Sequence, residues 1–117
     1  MGQHLKKRRM ELGFFQRDLR ERFRLEKETY ANWEKDRCQP AIRHWPGIIE
    51  FLGYDPNPEP KTFGEKLLAY RRRHGLSRKA LARQLGLDEA TLLWWERDLR
   101  IPQRQWQIDA IRGLGVT

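Results

Sequence analysis

The stretch LSRKALARQLGLDEATLLWWERDLRIP, residues 76–102, has the pattern of two short helices joined by a tight turn. Ser77 is a favoured N-cap residue, and apolar side chains recur after it at helical spacing. Gly86 can take positive φ at little cost, and Asp88 can cap a second helix that runs to about Arg97. Two helices of about eight residues with such a turn form a helix-turn-helix.

Helical patterns flank this stretch on both sides. The preceding helix carries Leu67 and Arg71 on one face and ends at Gly75, which suits a helix stop. Pro102 closes the following loop, and a last helix carries apolar residues at three- and four-residue spacing: Ile108, Ile111 and Leu114. No alternating strand pattern appears, so the sequence predicts an all-α fold.

The same pattern occurs twice, because the chain aligns with itself without a gap at an offset of 62 residues. Identical residues recur from end to end: Gly2/Gly64, Leu5/Leu67, Arg9/Arg71, Gly13/Gly75, Leu19/Leu81, Leu25/Leu87, Thr29/Thr91, Trp33/Trp95, Glu34/Glu96, Asp36/Asp98, Pro40/Pro102, Ile49/Ile111, Leu52/Leu114 and Gly53/Gly115. A chance match would not keep this register over the whole length, so we predict a tandem repeat.

A proline-rich segment separates the two copies. YDPNPEPKTF, residues 54–63, contains three prolines, which cannot continue a helix and favour an extended, semi-rigid connection. The chain is short for two ordinary domains, but helical modules of roughly 50 to 60 residues can fold alone. We therefore predict two small helical domains, residues 1–57 and residues 58–117, with the boundary near Pro58.

The chain is strongly basic, with 24 Lys and Arg against 16 Asp and Glu and a net charge of +8. This balance favours a polyanionic partner, most simply nucleic acid, although a merely solvated basic surface would have the same composition. The lone Cys38 excludes an internal disulfide, and no apolar run is long enough for a signal peptide or a membrane span. We expect a cytoplasmic protein.

Catalytic and metal-binding patterns are not evident. His4, His44 and His74 are scattered, with no carboxylate or thiol at metal-ligand spacing. There is no GxSxG, no glycine-rich phosphate loop and no recurring pair of carboxylates in an apolar setting. We expect neither an enzyme nor a metal or cofactor site.

The stretch 76–102 resembles the Cro/repressor-type helix-turn-helix family, also known as the xenobiotic-response-element family. The resemblance lies in the order of a small residue, Leu, Ala, a turn Gly, Leu, Thr, Trp, Glu and then Pro, and it extends to both copies. It implies two tandem helix-turn-helix domains of the lambda-repressor-like type, the first with a degenerate motif.

The resemblance implies DNA-contact positions in each copy. Residues that open the second helix would touch phosphate, aided by the helix dipole and free N–H groups: Gln16, Arg17, Arg78 and Lys79. Residues on the outer face of the third, or recognition, helix would reach base edges in the major groove: Lys27, Glu28, Thr29, Asn32, Glu89, Ala90, Thr91 and Trp94. Basic residues after that helix would lie along the DNA backbone: Lys35, Arg37, Arg97 and Arg100.

Several of these positions have another explanation. Glu28 and Glu89 can accept from the amino group of cytosine or simply complement the helix dipole. The basic residues can form a solvated charged face. Asn32 can pair bidentately with adenine, whereas Trp94 can offer an indole N–H and apolar surface, either to DNA or to a protein partner.

Other recurring residues are implied to be structural. Consecutive helical residues point about 100° apart, so Trp94 and Trp95 cannot both occupy the centre of one buried stripe. In the family, the position of Trp33 and Trp95 packs the third helix onto the core. The resemblance also suggests an ion pair that ties the first helix to the end of the third in each copy: Arg9 with Glu34, and Arg71 with Glu96.

The first copy departs from the family pattern at three places: Phe15 matches Ser77, Arg20 matches Ala82, and Arg24 matches Gly86. An arginine at the turn costs roughly 1 kcal/mol if it keeps positive φ. Either the first motif is reshaped, or Arg20 extends its aliphatic stem outward while its head reaches solvent or phosphate.

The leading hypothesis is a sequence-specific double-stranded-DNA-binding protein, a bacterial or phage-type transcriptional regulator that reads an asymmetric or bipartite site and lies in the nucleoid when bound. The alternative is a protein-interaction adaptor or antitoxin-like partner, with Trp45, Trp94 and Trp106 as anchors. Binding to structured RNA is a weaker third possibility. Partners besides DNA could include a second copy or another protein; we expect no membrane and no small-molecule substrate.

Overall fold

The computed structural model describes residues 1–116, and within them every regular element is a helix and no strand occurs. This confirms the predicted all-α class. The chain divides into two compact units: the first spans Met1–Pro58, and the second begins at Glu59. The prolines predicted a boundary between residues 57 and 58, which is one residue before the boundary in the structure.

The first unit contains helices α1 (Gly2–Glu11), α2 (Gln16–Arg22), α3 (Lys27–Glu34) and α4 (Trp45–Leu52), with a 3₁₀ turn at Ile42–His44. One residue from each of the first two helices, two from α3 and one from α4 form the most buried part of its core: Leu5, Leu19, Tyr30, Trp33 and Ile48. The amphipathic spacing of these residues therefore directs each helix toward one common centre.

The second unit repeats this order with α5 (Phe63–His74), α6 (Arg78–Leu85), α7 (Glu89–Glu96) and α8 (Gln105–Leu114). Its most buried apolar residues come from all four helices: Leu67, Leu81, Leu92, Trp95 and Ile111. The bounds of α6 and α7 are those of α2 and α3 shifted by 62 residues, except that α6 is one residue longer than α2.

The predicted helix ends in the second unit have different outcomes. Gly75 ends α5 with φ +65°, and the Ser77 hydroxyl accepts from the N–H of Ala80 at 3.0 Å to cap α6. Asp88 is the N-cap residue of α7, as predicted, and has an extended conformation, but its side chain accepts no capping hydrogen bond. Helix α7 ends at Glu96, and Arg97 is its C-terminal cap residue.

The turn between α2 and α3 keeps its geometry although arginine replaces glycine. Arg24 has φ +55° where Gly86 has φ +72°. In each turn the next residue donates its N–H across the turn at 2.8 Å, from Leu25 to Arg20 and from Leu87 to Ala82. The backbone is therefore not reshaped, and Arg24 bears the left-handed conformation at a cost of roughly 1 kcal/mol.

Candidate nucleic-acid interface

The two adjacent tryptophans of α7 lie on different faces of the helix. Trp95 is 2% exposed and packs in the core of the second unit, whereas Trp94 is 36% exposed. Glu89 and Ala90, one turn or more before Trp94, are also exposed. Helix α7 therefore has one face buried in the core and another available to a partner.

The residues expected to read bases occupy this outer face, although not all are equally accessible. In α7, Thr91 is half-buried beside the exposed residues. In α3, Lys27 and Glu28 are exposed, whereas Thr29 and Asn32 are half-buried. The first turn of each helix is thus the part most open to solvent.

Basic residues surround these outer faces. Those that follow the recognition helices are all exposed: Lys35, Arg37, Arg97 and Arg100. Of those near the start of the second helices, Arg17 and Lys79 are exposed, and Arg17 lies over the ring of Phe15, 5.0 Å from its centroid. The described residues show no ion pair between any of these side chains and a carboxylate, so their charges are available to an anion.

Arg100 folds back over the recognition helix. Its guanidinium carbon lies 4.3 Å from the centroid of the Trp94 ring, which is a cation–π contact. The two side chains line an open groove of about 650 Å³ in the second unit, together with Thr91, Arg104 and Gln107. The sequence indicated Trp94 and Arg100 as separate candidates, because their spacing does not predict that the two side chains touch.

Buried ion pairs hold each recognition helix in place. Arg9 donates from Nε to Glu34 Oε2 at 2.7 Å and from Nη2 to Oε1 at 3.1 Å. Arg71 makes the same fork with Glu96, at 2.6 and 2.9 Å. The third donor, Nη1, reaches the backbone carbonyl just before the second helix, that of Phe14 in one unit and of Leu76 in the other.

The first ion pair changes the protonation behaviour of its members. Burial alone would raise the pKa of the Glu34 carboxyl, but hydrogen bonding and charge, with Arg9 as the largest contributor, hold that pKa below its usual value. Hydrogen bonding to Glu34 raises the pKa of Arg9. Burial, followed by the neighbouring Glu34, raises the pKa of the Tyr30 phenol. Glu34 is therefore ionised at neutral pH, and Tyr30 keeps its proton.

The first residues of the second helices, which were expected to contact phosphate, turn their side chains partly inward. Gln16 donates from Nε2 to Glu34 Oε1 at 3.1 Å, and Arg78 Nε lies 3.5 Å from Glu96 Oε1. Both side chains keep part of their surface in solvent. The structure therefore joins these positions to the ion pairs, a role that the sequence analysis did not assign to them.

The N-terminus of α2 is built differently from that of α6. The Phe15 N–H donates to Asp18 Oδ2 at 2.7 Å, so a side chain within the first turn accepts from the N-cap residue, whereas in α6 the N-cap hydroxyl of Ser77 accepts from the N–H of Ala80. Sequence reasoning missed Asp18, although an acid at this spacing is a recognisable capping signal. The Phe15 ring, without a polar role at the cap, is 63% exposed.

One anchor of the alternative hypothesis is not available at the surface. Trp45 is only 5% exposed because it packs in the core of the first unit, so its proposed role as an anchor for a protein partner is wrong. Trp106 is 48% exposed. Trp94 and Trp106 thus remain the accessible tryptophans of the three considered.

Metal-binding clusters and membrane-spanning helices are not found within residues 1–116. Within residues 1–116, no group of three or more His, Cys, Asp or Glu side chains is placed to hold a metal ion. None of the helices in the described part of the chain has both the length and the apolar character needed to cross a membrane.

The second unit is similar to a known domain family. Residues 62–117 match the family model of a helix-turn-helix domain. No curated protein and no solved structure matches the chain significantly. The matched residues begin one position before α5, so the match covers all four helices of the second unit, and helix-turn-helix domains are a type that binds DNA.

Proposed function

We propose that this chain is a sequence-specific double-stranded-DNA-binding protein that regulates transcription in a bacterium or a phage. The observation that carries the proposal is the outer face of α7, within the segment that matches the helix-turn-helix family model. That face is solvent-exposed at Glu89, Ala90 and Trp94, and basic side chains at Arg97 and Arg100 border it. A net charge of +8 adds a general attraction to phosphate.

The second unit would dock with α7 in the major groove and the start of α6 against the backbone. Arg78 and Lys79 would meet phosphate there, helped by the N–H groups at the helix start. Glu89, Ala90 and Thr91 would approach base edges, because the N-terminal part of a recognition helix reaches furthest into the groove. The Glu89 carboxylate would accept a hydrogen bond from the amino group of cytosine.

The first unit would act as a second reader. Its ion pair, its turn and the bounds of α3 repeat those of the second unit, which supports the interpretation as tandem helix-turn-helix copies in the Cro/repressor-type family. Its base-reading and phosphate positions would be Gln16, Arg17, Lys27, Glu28, Thr29, Asn32, Lys35 and Arg37. Half-buried Asn32 would pair with adenine through its amide.

The preferred DNA site should be asymmetric. The outer faces of α3 and α7 differ at most positions, with Asn32 matching Trp94 and Lys27 matching Glu89. Two different readers on one chain do not require a palindrome, and the linker raises the effective concentration of the second reader once the first has bound. We expect the protein to act in the cytoplasm and to associate with the nucleoid.

Selection from a random duplex-DNA library tests this function. We expect an enriched asymmetric motif, bound about a thousandfold more tightly than a scrambled duplex at the same salt concentration. Asn32→Ala and Ala90→Arg should alter base preferences in different parts of the motif, one in each unit. Weak binding to every duplex, lost as salt rises, would leave only nonspecific charge attraction.

A second candidate function is supported by four exposed apolar residues that lie close in sequence, from the end of α1 to the start of α2. We call Met10, Leu12, Phe14 and Phe15 the corner patch; their exposed fractions run from 39% to 63%. The matching residues in the second unit are Arg72, His74, Leu76 and Ser77, three of them polar. Such a patch suits a protein contact, so the first unit would then serve an adaptor or antitoxin-like role.

The two candidates are separable with one variant. Phe15→Ser and Met10→Arg together convert two corner-patch residues to those of the second unit. A protein that binds wild type but not this variant, while the DNA motif and affinity stay unchanged, would favour the adaptor. Loss of DNA affinity by the variant would instead assign the patch to the DNA-reading surface.

A further inference from the structure

We propose that Trp94 and Arg100 form one unit that selects a guanine in the part of the DNA site contacted by α7. Arg100 would touch the base, and Trp94 would position its guanidinium. The inference rests on the proposed DNA-binding function and adds a specific base and a division of roles between two residues.

The contact places a loop side chain over the recognition helix. Arg100 lies beyond the end of α7, yet its guanidinium carbon is 4.3 Å from the centroid of the Trp94 ring. Trp94 belongs to the outer face of α7, so the guanidinium lies on the face that would enter the major groove. A guanidinium that stacks flat on an aromatic ring keeps its in-plane N–H donors available, and the proposal takes Arg100 to lie on Trp94 in this way.

Neighbouring acids do not compete for these donors. Asp98 lines the same groove, but its oxygens accept from the Gly64 N–H at 2.9 Å and from the Thr62 hydroxyl at 2.7 Å. Among the described residues, no carboxylate forms an ion pair with Arg100. Among residues 59–116, Arg100 thus contacts Trp94 and forms no ion pair, so its charge is open to an acceptor from outside the unit.

Guanine is the base whose major-groove edge best fits such a group. It presents two neighbouring acceptors, O6 and N7, whereas adenine, cytosine and thymine each offer fewer acceptors or a donor or methyl group beside them. The planar fork of arginine donates to both guanine acceptors at once. The indole of Trp94 has a single N–H donor and could not make this distinction by itself.

Stacking also reduces the entropic cost of the contact. A free arginine loses much rotamer freedom when it is fixed on a base. Arg100 already rests on Trp94 before DNA arrives, so less freedom remains to be lost. Trp94 therefore has a positioning role, which explains why an exposed tryptophan lies beside the buried Trp95.

The first unit lacks the pair and supplies a contrast within the same chain. Asn32 and Cys38 occupy the positions that match Trp94 and Arg100. Neither side chain is a cation, so the first unit cannot make a cation–π stack of this kind. A guanine preference that depends on this pair should consequently appear in one part of the motif only.

The test compares base preferences of wild type, Arg100→Ala, Arg100→Lys, Trp94→Ala and Trp94→Phe on duplex libraries and on single-substitution duplexes. Arg73→Ala, an exposed arginine on α5, is the matched control. Arg100→Ala and Trp94→Ala should weaken binding to the preferred duplex by roughly 5- to 150-fold and abolish the preference at the same guanine. Affinity for a duplex with that guanine replaced should hardly change.

The conservative variants separate the two roles. Lysine keeps the charge and can donate to guanine but lacks the planar fork, so Arg100→Lys should weaken the guanine preference while the salt dependence of binding stays as in wild type. Phenylalanine keeps an aromatic face, so Trp94→Phe should retain part of the preference. Circular dichroism would verify that each variant is folded.

Three results would overturn the inference. A uniform loss of affinity on all duplexes for Arg100→Ala, with a reduced salt dependence, would make Arg100 a phosphate contact. Loss of guanine preference in Arg100→Ala but not in Trp94→Ala would remove the positioning role. Unchanged base preferences in every variant would show that the pair does not select a base, and would leave the proposed function intact. A wild-type protein that enriches no motif would instead refute the proposed function itself.

Discussion

Asp98 accepts a hydrogen bond from the backbone N–H of Gly64 through Oδ1, at 2.9 Å. The backbone of Asp98 is left-handed, with φ +57°. The same contact recurs between Asp36 and Gly2, also at 2.9 Å. In both units an aspartate after the recognition helix therefore satisfies an N–H at the start of the first helix. This arrangement requires the two helix ends to approach each other closely.

Gly64→Ala should strongly destabilise the second unit. A Cβ at this position would clash with the backbone carbonyl of Glu96, which cannot move aside as a flexible side chain could. We expect a loss of about 2 kcal/mol or more in the free energy of unfolding, measured by urea denaturation. Gly113→Ala in α8 is the matched control, because its Cβ would meet open space; it should be neutral or stabilising by up to about 1 kcal/mol. Equal effects of the two substitutions would contradict this explanation.

Arg71→Ala should cost on the order of 3 kcal/mol in the free energy of unfolding, because it leaves the Glu96 carboxylate buried without its main partner. Thermal and chemical denaturation would measure the loss. Arg73→Ala, two residues along the same helix and exposed, should change stability by less than about 0.5 kcal/mol. If Arg71→Ala instead weakened DNA binding without affecting stability, the residue would be a DNA contact and not a structural one.

The pair between Arg9 and Glu34 should make the first unit sensitive to acid. The folded pKa of Glu34 is below its usual value, so the ionised form contributes stability that is fully present above about pH 5. This contribution is lost as the pH falls through the folded pKa, which lies below the usual value of a glutamate carboxyl. The stability difference between wild type and Glu34→Gln should therefore shrink on acidification. A difference that stays constant from pH 7 to pH 3 would show that ionisation of Glu34 does not contribute.

Exchanging arginine and glycine at the two turns should have opposite effects on stability. Arg24→Gly should stabilise the chain by up to about 1 kcal/mol, since glycine takes positive φ without strain. Gly86→Arg should destabilise the second unit by a similar amount, because the space around Gly86 is open and only the backbone conformation opposes a side chain. Urea denaturation of both variants measures the effect, and a destabilising Arg24→Gly would indicate that the Arg24 side chain makes a net favourable contribution.

Local signals in the sequence were sufficient for the helices and for the all-α class. The spacing of apolar residues in α6 and α7, the cap at Ser77 and the glycine at position 86 act over a few residues, so they can be recognised without the fold. The spacing also indicated that Trp94 and Trp95 could not both occupy the core, and the resemblance assigned the buried position to Trp95, which is 2% exposed. The repeat also indicated which residues had counterparts, among them Asp36 and Asp98, but not what those aspartates contact.

Part of the candidate site depended on contacts between distant residues. Gln16 reaches Glu34 across 18 residues, and Gly64 reaches Asp98 across 34. Such pairings depend on how helices pack against one another, which no local pattern specifies. The stack of Arg100 on Trp94 depends likewise on the path of the loop after α7.

The sequence by itself determined the helix-turn-helix pattern, the positive charge and the set of side chains on the recognition helices, because periodicity, capping and composition are properties of neighbouring residues. Only the tertiary structure decided that Gln16 and Arg78 turn toward the ion pairs, that Trp45 is buried and that Arg100 lies over α7. The physical reason is that side-chain direction and burial follow from packing between elements, and packing exists only once the chain has folded.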